Sequence, residues 1–219
     1  MASRNLLRAI IMGPPGSGKG TISSWIVRDF QMSHLSSGDM LRAQMGKGTG
    51  AGVAAKEAIS RGELVADDVM NEMILAELEE ITGKSFLLDG YPRTVHQAEA
   101  LSKAQPVDVV VNLAVPFKTI RERIENRWVH QGSGRVYHTV FNPPKNPGVD
   151  DETGEPLIQR EDDKPHSVSA RLDIYQKQTE PLLEFYRKEG KLAEFAGTES
   201  KVIYPEVKSH LAALFSTVA

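Results

Sequence analysis

One stretch, Gly13-Pro14-Pro15-Gly16-Ser17-Gly18-Lys19-Gly20-Thr21, constrains this chain more than any other. It follows the apolar run Leu6 to Met12, which reads as a buried strand. It opens a helical pattern with Ile22, Trp25, Ile26 and Phe30 on one face. Strand, glycine loop and helix in this order are the setting a phosphate-binding loop requires. Glycines let successive backbone N–H groups turn toward phosphate oxygens with no Cβ in the way. The helix N-terminus adds partial positive charge. Lys19 supplies a cation for the outer phosphates and Thr21 a hydroxyl suited to Mg²⁺. The general pattern sets Ser or Thr directly after the lysine, whereas here Gly20 intervenes. A plain glycine-rich turn is the bland alternative, but the lysine, the spacing and the flanks all agree with phosphate binding.

At 219 residues, one main domain with an insertion is expected. A net charge of −3 offers no electrostatic footprint for nucleic acid. The chain has no cysteine, which excludes disulfides and thiolate metal sites. No apolar run approaches the roughly 18 residues of a membrane span, so no membrane partner is expected. No Asp or Glu precedes Asp29, while Arg4, Arg8, Lys19 and Arg28 do. Acid-poor, arginine-containing N-termini can target mitochondria. Leu6 to Met12 is needed as the first strand, however, which argues against a cleaved presequence.

Further along, residues 31–35 form a strand candidate, followed by Ser36-Ser37-Gly38-Asp39 and a helical segment with Met40, Leu41 and Arg42. Glycines 46, 48, 50, 52 and 62 then punctuate a small, mobile helical insert around a helix from Val53 to Ser60. Asp67 is expected to cap a helix carrying Val69, Met73, Ile74 and Leu78, which Gly83 ends. Residues 85–88 and 107–115 read as buried strands, and Pro116 as the first turn of a helix with Ile120 and Ile124. From Arg127 to Asp163, turn residues and short alternating pieces predict a β-rich insertion, because a structureless loop of that length is implausible. Residues 167–189 predict a long helix kinked at Pro181, residues 192–195 a last strand, and Pro205 the opening of a C-terminal helix with Val207, Leu211 and Leu214 inward. Strands alternating with helices imply a parallel sheet with ligand at the carboxyl ends of its strands.

Several other residue types carry chemistry. Asp89 ends an apolar strand, as a Mg²⁺-organising carboxylate should, and Asp39 is a second carboxylate at an equivalent place. Both are expected to act through metal-bound water, with no direct protein ligand. Phosphoryl transfer demands charge neutralisation, and Arg42, Arg93, Arg123, Arg127, Arg160 and Arg171 stand at strand ends or insertion edges. The i, i+4 spacing of Arg123 and Arg127 places them on one helix face. Gln97 has two readings: the reciprocal partner in a Thr94-Val95-His96-Gln97 capping box, or a reader of a base edge. His130, Ser133, Asp150 and Thr153 read as a hydrogen-bonded polar cluster rather than a metal site, since tetrahedral zinc here would want thiolates.

Together these residues resemble the adenylate kinase family of the long-lid type. The likeness rests on the loop at 13–21, Ser-Ser-Gly-Asp-Met-Leu-Arg at 36–42, Asp-Gly-Tyr-Pro-Arg-Thr at 89–94 with Gln97, Gly-Arg-Val-Tyr from Gly134, Phe-Asn-Pro-Pro-Lys ending at Lys145, Asp-Asp-Xaa-Thr-Gly-Glu-Pro-Leu at 150–157 and Gln-Arg-Glu-Asp-Asp-Lys-Pro at 159–165. The family's extra glycine accounts for Gly20. The resemblance implies an α/β fold of the P-loop NTPase type, a parallel sheet covered on both faces. It implies a core of residues 1–35, 66–126 and 165–219, an AMP-binding insert at 36–65 and a lid at 127–164. Gly13, Pro15, Gly16, Ser17, Gly18, Lys19, Gly20 and Thr21 would hold the donor phosphates. Arg127, Val136, Tyr137, Glu199 and Ser200 would face the rest of the donor. Ser37, Gly38, Arg42, Glu63, Leu64, Val65, Gly90, Tyr91, Pro92, Arg93 and Gln97 would hold AMP. Lys19, Arg93, Arg123, Arg127, Arg160 and Arg171 would serve catalysis, Arg160 and Arg171 also touching AMP. The Tyr91–Pro92 bond is expected to be cis. Within the family, Leu-Ser-Ser-Gly-Asp, Arg-Trp-Val-His and Phe-Ala-Gly-Thr-Glu-Ser look most like the mitochondrial matrix branch that moves a phosphoryl from GTP to AMP. Expected partners are GTP or ATP, AMP and Mg²⁺, the expected state is a monomer, and the expected place is the mitochondrial matrix, with the cytoplasm as the alternative. A GTPase-type switch would want an Asn-Lys-Xaa-Asp motif, which the sequence lacks. A degraded nucleotide-binding module would have no reason to keep all six arginines.

Overall fold

A computed structural model describes residues 6–61 and 63–217, so Arg4 and Gly62 lie outside the described residues. The chain begins with strand β1 (Arg8–Met12), helix α1 (Lys19–Phe30), strand β2 (Ser33–Ser36) and helices α2 (Ser37–Lys47), α3 (Gly50–Ser60) and α4 (Asp67–Glu80). Strand β3 (Phe86–Asp89), helix α5 (Val95–Ala104), strand β4 (Val109–Ala114) and helix α6 (Phe117–Glu125) follow. The insertion carries β5 (Arg127–His130), β6 (Val136–His138) and β7 (Leu157–Ile158), and the chain closes with α7 (Pro165–Ile174), α8 (Pro181–Lys188), β8 (Leu192–Ala196) and α9 (Ser200–Thr217).

Five parallel strands form the main sheet in the order β2-β3-β1-β4-β8. Alternation along each strand sends side chains to opposite faces. Ala9, Ile11, Leu87, Val109, Val111 and Leu113 pack on one face, against Ile22 and Ile26 of α1, Ile120 and Ile124 of α6, and Val207 and Leu211 of α9. Ile10, Met12, Leu88 and Val110 pack on the other, with Leu41, Ile74, Leu101 and Leu182. Ile10 and Ile11 are both fully buried, each worth roughly 1.5–3 kcal/mol of transfer free energy. With β1 flanked by β3 on one side and β4 on the other, the chain reverses its winding direction across β1. The crevice at the carboxyl ends, where an open parallel sheet takes its ligand, therefore opens above the loop that leaves β1.

The turn-rich insertion folds as its own antiparallel sheet, β6-β5-β7, pairing Trp128 with Tyr137 and His130 with Leu157. Four local expectations are corrected. Asp67 does not cap α4: the cap position is Ala66, and Asp67 is the first helical residue, its carboxylate turned to Thr94 and Gln97. The helix expected to kink at Pro181 is instead two helices joined by a π-helical turn, Tyr175–Thr179, and Pro181 begins the second, where a missing N–H costs nothing. Pro205 lies inside α9, which opens earlier, at Ser200. Arg123 and Arg127 do not share a helix face, because α6 ends at Glu125 and Arg127 is the first residue of β5.

Candidate active site

The loop after β1 is shaped by close backbone approach. Gly13 has φ 143°, and a Cβ there would stand 2.8 Å from Ser17 Oγ and 2.9 Å from the Leu113 carbonyl oxygen. Gly18, in the left-handed region at φ 92°, sits so close to the start of α9 that a Cβ would meet Ser200 Oγ at 2.5 Å. The loop is thus seated between β4 and α9, and Ser200 borders it. Inside it, the Lys19 ammonium donates to the carbonyls of Gly13 (2.6 Å) and Pro14 (2.9 Å). Burial pushes the Lys19 pKa down to about 7; Asp89 opposes the shift, while Arg93, Arg171 and Arg127 add to it. A cation held so reluctantly is one that an incoming phosphate would stabilise.

Asp89 ends β3 beside Ile11 and Ser36 in register. Ser23 Oγ donates to it at 3.0 Å and the His34 ring lies 3.8 Å away. Burial alone would raise its pKa, but His34, the charge of Lys19 and the Ser23 hydroxyl outweigh it and hold the carboxyl below its ordinary value. An ionised, half-buried carboxylate fits Mg²⁺ held through water, the mode a reluctantly dehydrated ion adopts beside phosphates. Asp39 is ion-paired with Arg42.

The arginines converge with one exception. Lys19, Arg42, Arg93, Arg127, Arg160 and Arg171 lie near enough to feel one another's charge. Arg127 grips the fully buried Asp163 with both arms of its fork, one contact at 2.8 Å. Arg171 reaches the same carboxylate at 3.1 Å and Asp162 at 3.0 Å. Arg93 is tied to the Gly90 carbonyl at 2.7 Å, which also accepts from Ser37 Oγ at 2.8 Å. The Arg160 guanidinium has no hydrogen bond or ion pair among the described residues, while its backbone carbonyl accepts from the Asp163 N–H at 3.0 Å. Burial, joined by Arg127 and Arg42, pushes its pKa down to about 10, so it stays charged at neutral pH. Arg123 meets the loop itself, donating to the Gly16 carbonyl at 3.5 Å and to the Thr198 carbonyl, with its guanidinium 5.2 Å from the Phe141 ring centre.

Gln97 is partnered in an unexpected way. Thr94 caps α5, accepting from the Gln97 N–H at 3.2 Å, as the motif requires. The glutamine does not reach back to the cap's own N–H: it accepts from Arg93 N and donates to Asp67. Tyr91–Pro92 is cis, and the Tyr91 hydroxyl donates to Asn71 at 2.7 Å. Residues 64–65 run without helix or strand, Val65 buried and Glu63 paired with Arg61.

In the insertion, His130 bonds Ser133 at 2.7 Å and Thr153 bonds Asp150 at 2.9 Å, the polar cluster expected. It is larger than its four sequence members. Glu155 meets His130 at 2.6 Å, and Arg135 grips the buried Asp150 at 2.8 and 2.6 Å, holding its carboxyl far below the usual range. Tyr137 belongs here too: it is buried and its hydroxyl donates to Asp150 at 2.9 Å. Its hydroxyl is therefore tied into this cluster, while Val136 beside it is exposed. Glu199 pairs with Lys201, and the Ser200 side chain borders Gly18. Asp162 and Asp163 have no assigned role in the sequence alone. Two adjacent acids just before Lys164-Pro165, flanked by the arginines at 160 and 171, were the available signal for them. Asp67 reads in the sequence only as a helix cap.

The adenylate kinase family model matches residues 11–191. The chain is 46% identical to the mitochondrial GTP:AMP phosphotransferase of Drosophila melanogaster, over 94% of this chain and 95% of that one. It is 47% identical to adenylate kinase 4 of Oryza sativa subsp. japonica, over 93% and 87%, and 48% identical to an adenylate kinase of Vanderwaltozyma polyspora, over 84% and 86%. The match runs from within β1 to the eve of β8, through every element that carries the loop and its arginines, and the chain belongs to the adenylate kinase family.

Proposed function

We propose that this chain transfers the terminal phosphoryl of GTP to AMP, reversibly and with Mg²⁺, giving GDP and ADP. The observation that carries the reading is the cluster of cations around Lys19 at the winding reversal of the sheet, with the Arg160 guanidinium unpaired among the described residues. The acceptor phosphate is largely ionised at neutral pH, its second pKa being about 6, so no general base is needed. An AMP phosphate oxygen attacks the γ-phosphorus in line, the bond to the bridging β–γ oxygen breaks, and that oxygen leaves with the diphosphate. What the protein supplies is position and charge. The loop N–H groups and Lys19 hold the donor phosphates, and Arg93 and Arg42 orient the acceptor phosphate. Arg160, Arg127 and Arg171 meet the charge spread over the transferring group, as forked donors suit. Mg²⁺, when bound, would be held through water by Asp89 and the Thr21 hydroxyl and would neutralise charge on the donor phosphates. The insertion at 127–164 acts as a lid bringing Arg127 and Arg160 over the donor and excluding water. Residues 36–65 form the AMP insert.

GTP as donor and the mitochondrial matrix as location rest on the named Drosophila relative and the matrix-type motifs. A general ATP:AMP kinase is the second reading, favoured by the two relatives named adenylate kinase. A coupled assay of ADP formation with GTP, ATP and ITP as donors and AMP as acceptor decides between them. A kcat/KM for ATP equal to or above that for GTP removes the GTP reading. Absence of turnover with every donor removes the enzyme.

A further inference from the structure

The Gln97 amide is held at both ends. Its Oε1 accepts from the backbone N–H of Arg93 at 2.7 Å, and its Nε2 donates to Asp67 Oδ1 at 2.7 Å. These partners cannot trade places. A backbone N–H only donates, so it must face the amide oxygen; a carboxylate only accepts, so it must face the nitrogen. Turning the amide over would lose both bonds and set oxygen against carboxylate and NH₂ against N–H. Asp67 is itself pinned. Its second oxygen accepts from Thr94 Oγ1 at 2.8 Å, with the His96 ring 3.4 Å away, and its place in the first turn of α4 suits a negative charge. Gln97 is 2% exposed, so water competes little for this network.

We propose that Asp67 makes the acceptor site select adenine, by locking the Gln97 amide in one orientation. The inference rests on the reading of AMP as acceptor with its base at Gln97. Each amide atom keeps one unused capacity, a lone pair on Oε1 and an N–H on Nε2. Adenine offers an amino donor at the six position beside a ring-nitrogen acceptor, and the pair matches. A 6-oxopurine offers a carbonyl acceptor there, with a ring N–H beside it, the reverse pattern. A free amide would turn over to suit either base. This one cannot without breaking a hydrogen bond to a charged group, which makes the lock worth roughly ten- to hundredfold in discrimination. Asp67 is thus a positioning residue that acts through Gln97.

The test compares kcat/KM for AMP and IMP with one donor in the wild type, Asp67→Asn and Asp67→Glu, with melting curves for each. Asparagine both donates and accepts, so it serves either amide orientation. The AMP:IMP ratio should fall at least about tenfold in Asp67→Asn, through acceptor rather than donor KM, and recover in Asp67→Glu. In the wild-type chain, the Gln97 Nε2 proton facing Asp67 should exchange slowly with water in a ¹⁵N–¹H spectrum, a readout that does not depend on any variant folding. A ratio in Asp67→Asn within twofold of wild type, or a rapidly exchanging amide in the wild type, overturns the inference alone. A wild type that uses IMP or GMP as well as AMP overturns the acceptor reading and this inference with it.

Discussion

Asp163→Asn should destabilise the protein severely while barely changing its shape. The carboxylate is fully buried and is shared by Arg127, through both fork arms, and by Arg171. The arginine side chains are themselves only 16% and 19% exposed. Asparagine keeps the volume but removes the charge, leaving two guanidiniums largely out of water with Asp162 alone to share. Removing one partner of a buried ion pair costs about 3–5 kcal/mol. For a chain of this size each kcal/mol moves the melting temperature by about 2–4 °C, so the midpoint should drop by roughly 6–20 °C. Nucleotide should restore more in the variant than in the wild type, because bound phosphate supplies the missing negative charge to the same two forks. Calorimetric melting with and without GTP plus AMP measures both effects. A midpoint within about 2 °C of wild type would show that Arg127 and Arg171 do not depend on Asp163. Equal nucleotide-induced shifts in the two proteins would refute the electrostatic account.

Arg160→Lys should lower kcat far more than it raises KM, since a transition-state arginine in phosphoryl transfer is worth about 10³–10⁵ in rate and lysine lacks the planar fork; a loss under about threefold in steady-state assays would leave Arg160 no role in the transition state. Donor binding should take up a proton at pH 8. Lys19 has a pKa near 7 in the free site and a higher one beside phosphates, so it is mostly neutral before binding and charged after, and affinity should weaken as pH rises above 7. Calorimetric titration in buffers of different ionisation enthalpy reads the uptake directly, and uptake that persists in Lys19→Met would assign it elsewhere. The insertion should close over the core when both nucleotides bind; labels at residues 137 and 53 whose separation stays constant on addition would rule closure out.

The loop was legible in the sequence because its determinants are local. Glycines at 13, 16 and 18 between an apolar strand and an amphipathic helix leave the backbone few alternatives, and the structure returns positive φ at all three. The parallel sheet was legible for a related reason: continuous apolar runs at β1, β3 and β4 need burial on both faces, and helices between them supply the crossovers. The polar cluster in the insertion could be named from four residues, yet Arg135, Tyr137 and Glu155 joined it only when the antiparallel pairing brought them there.

What the tertiary structure alone decided is how the charges are partnered. Arg127 lies on a strand, so its helical spacing from Arg123 carried no weight, and its partner Asp163 stands 36 residues away. Asp67 looked like a cap because a carboxylate before an apolar helical pattern usually is one. Its true partners, Thr94 and Gln97, arrive from 27 and 30 residues further along. Local sequence sets backbone preference and residue chemistry, so it named the acids, the arginines and the glutamine. Which donor meets which acceptor depends on distances of a few ångströms between segments that only the folded sheet and helices bring together. That is why the phosphate-binding chemistry could be read from the chain, and the lock on Gln97 could not.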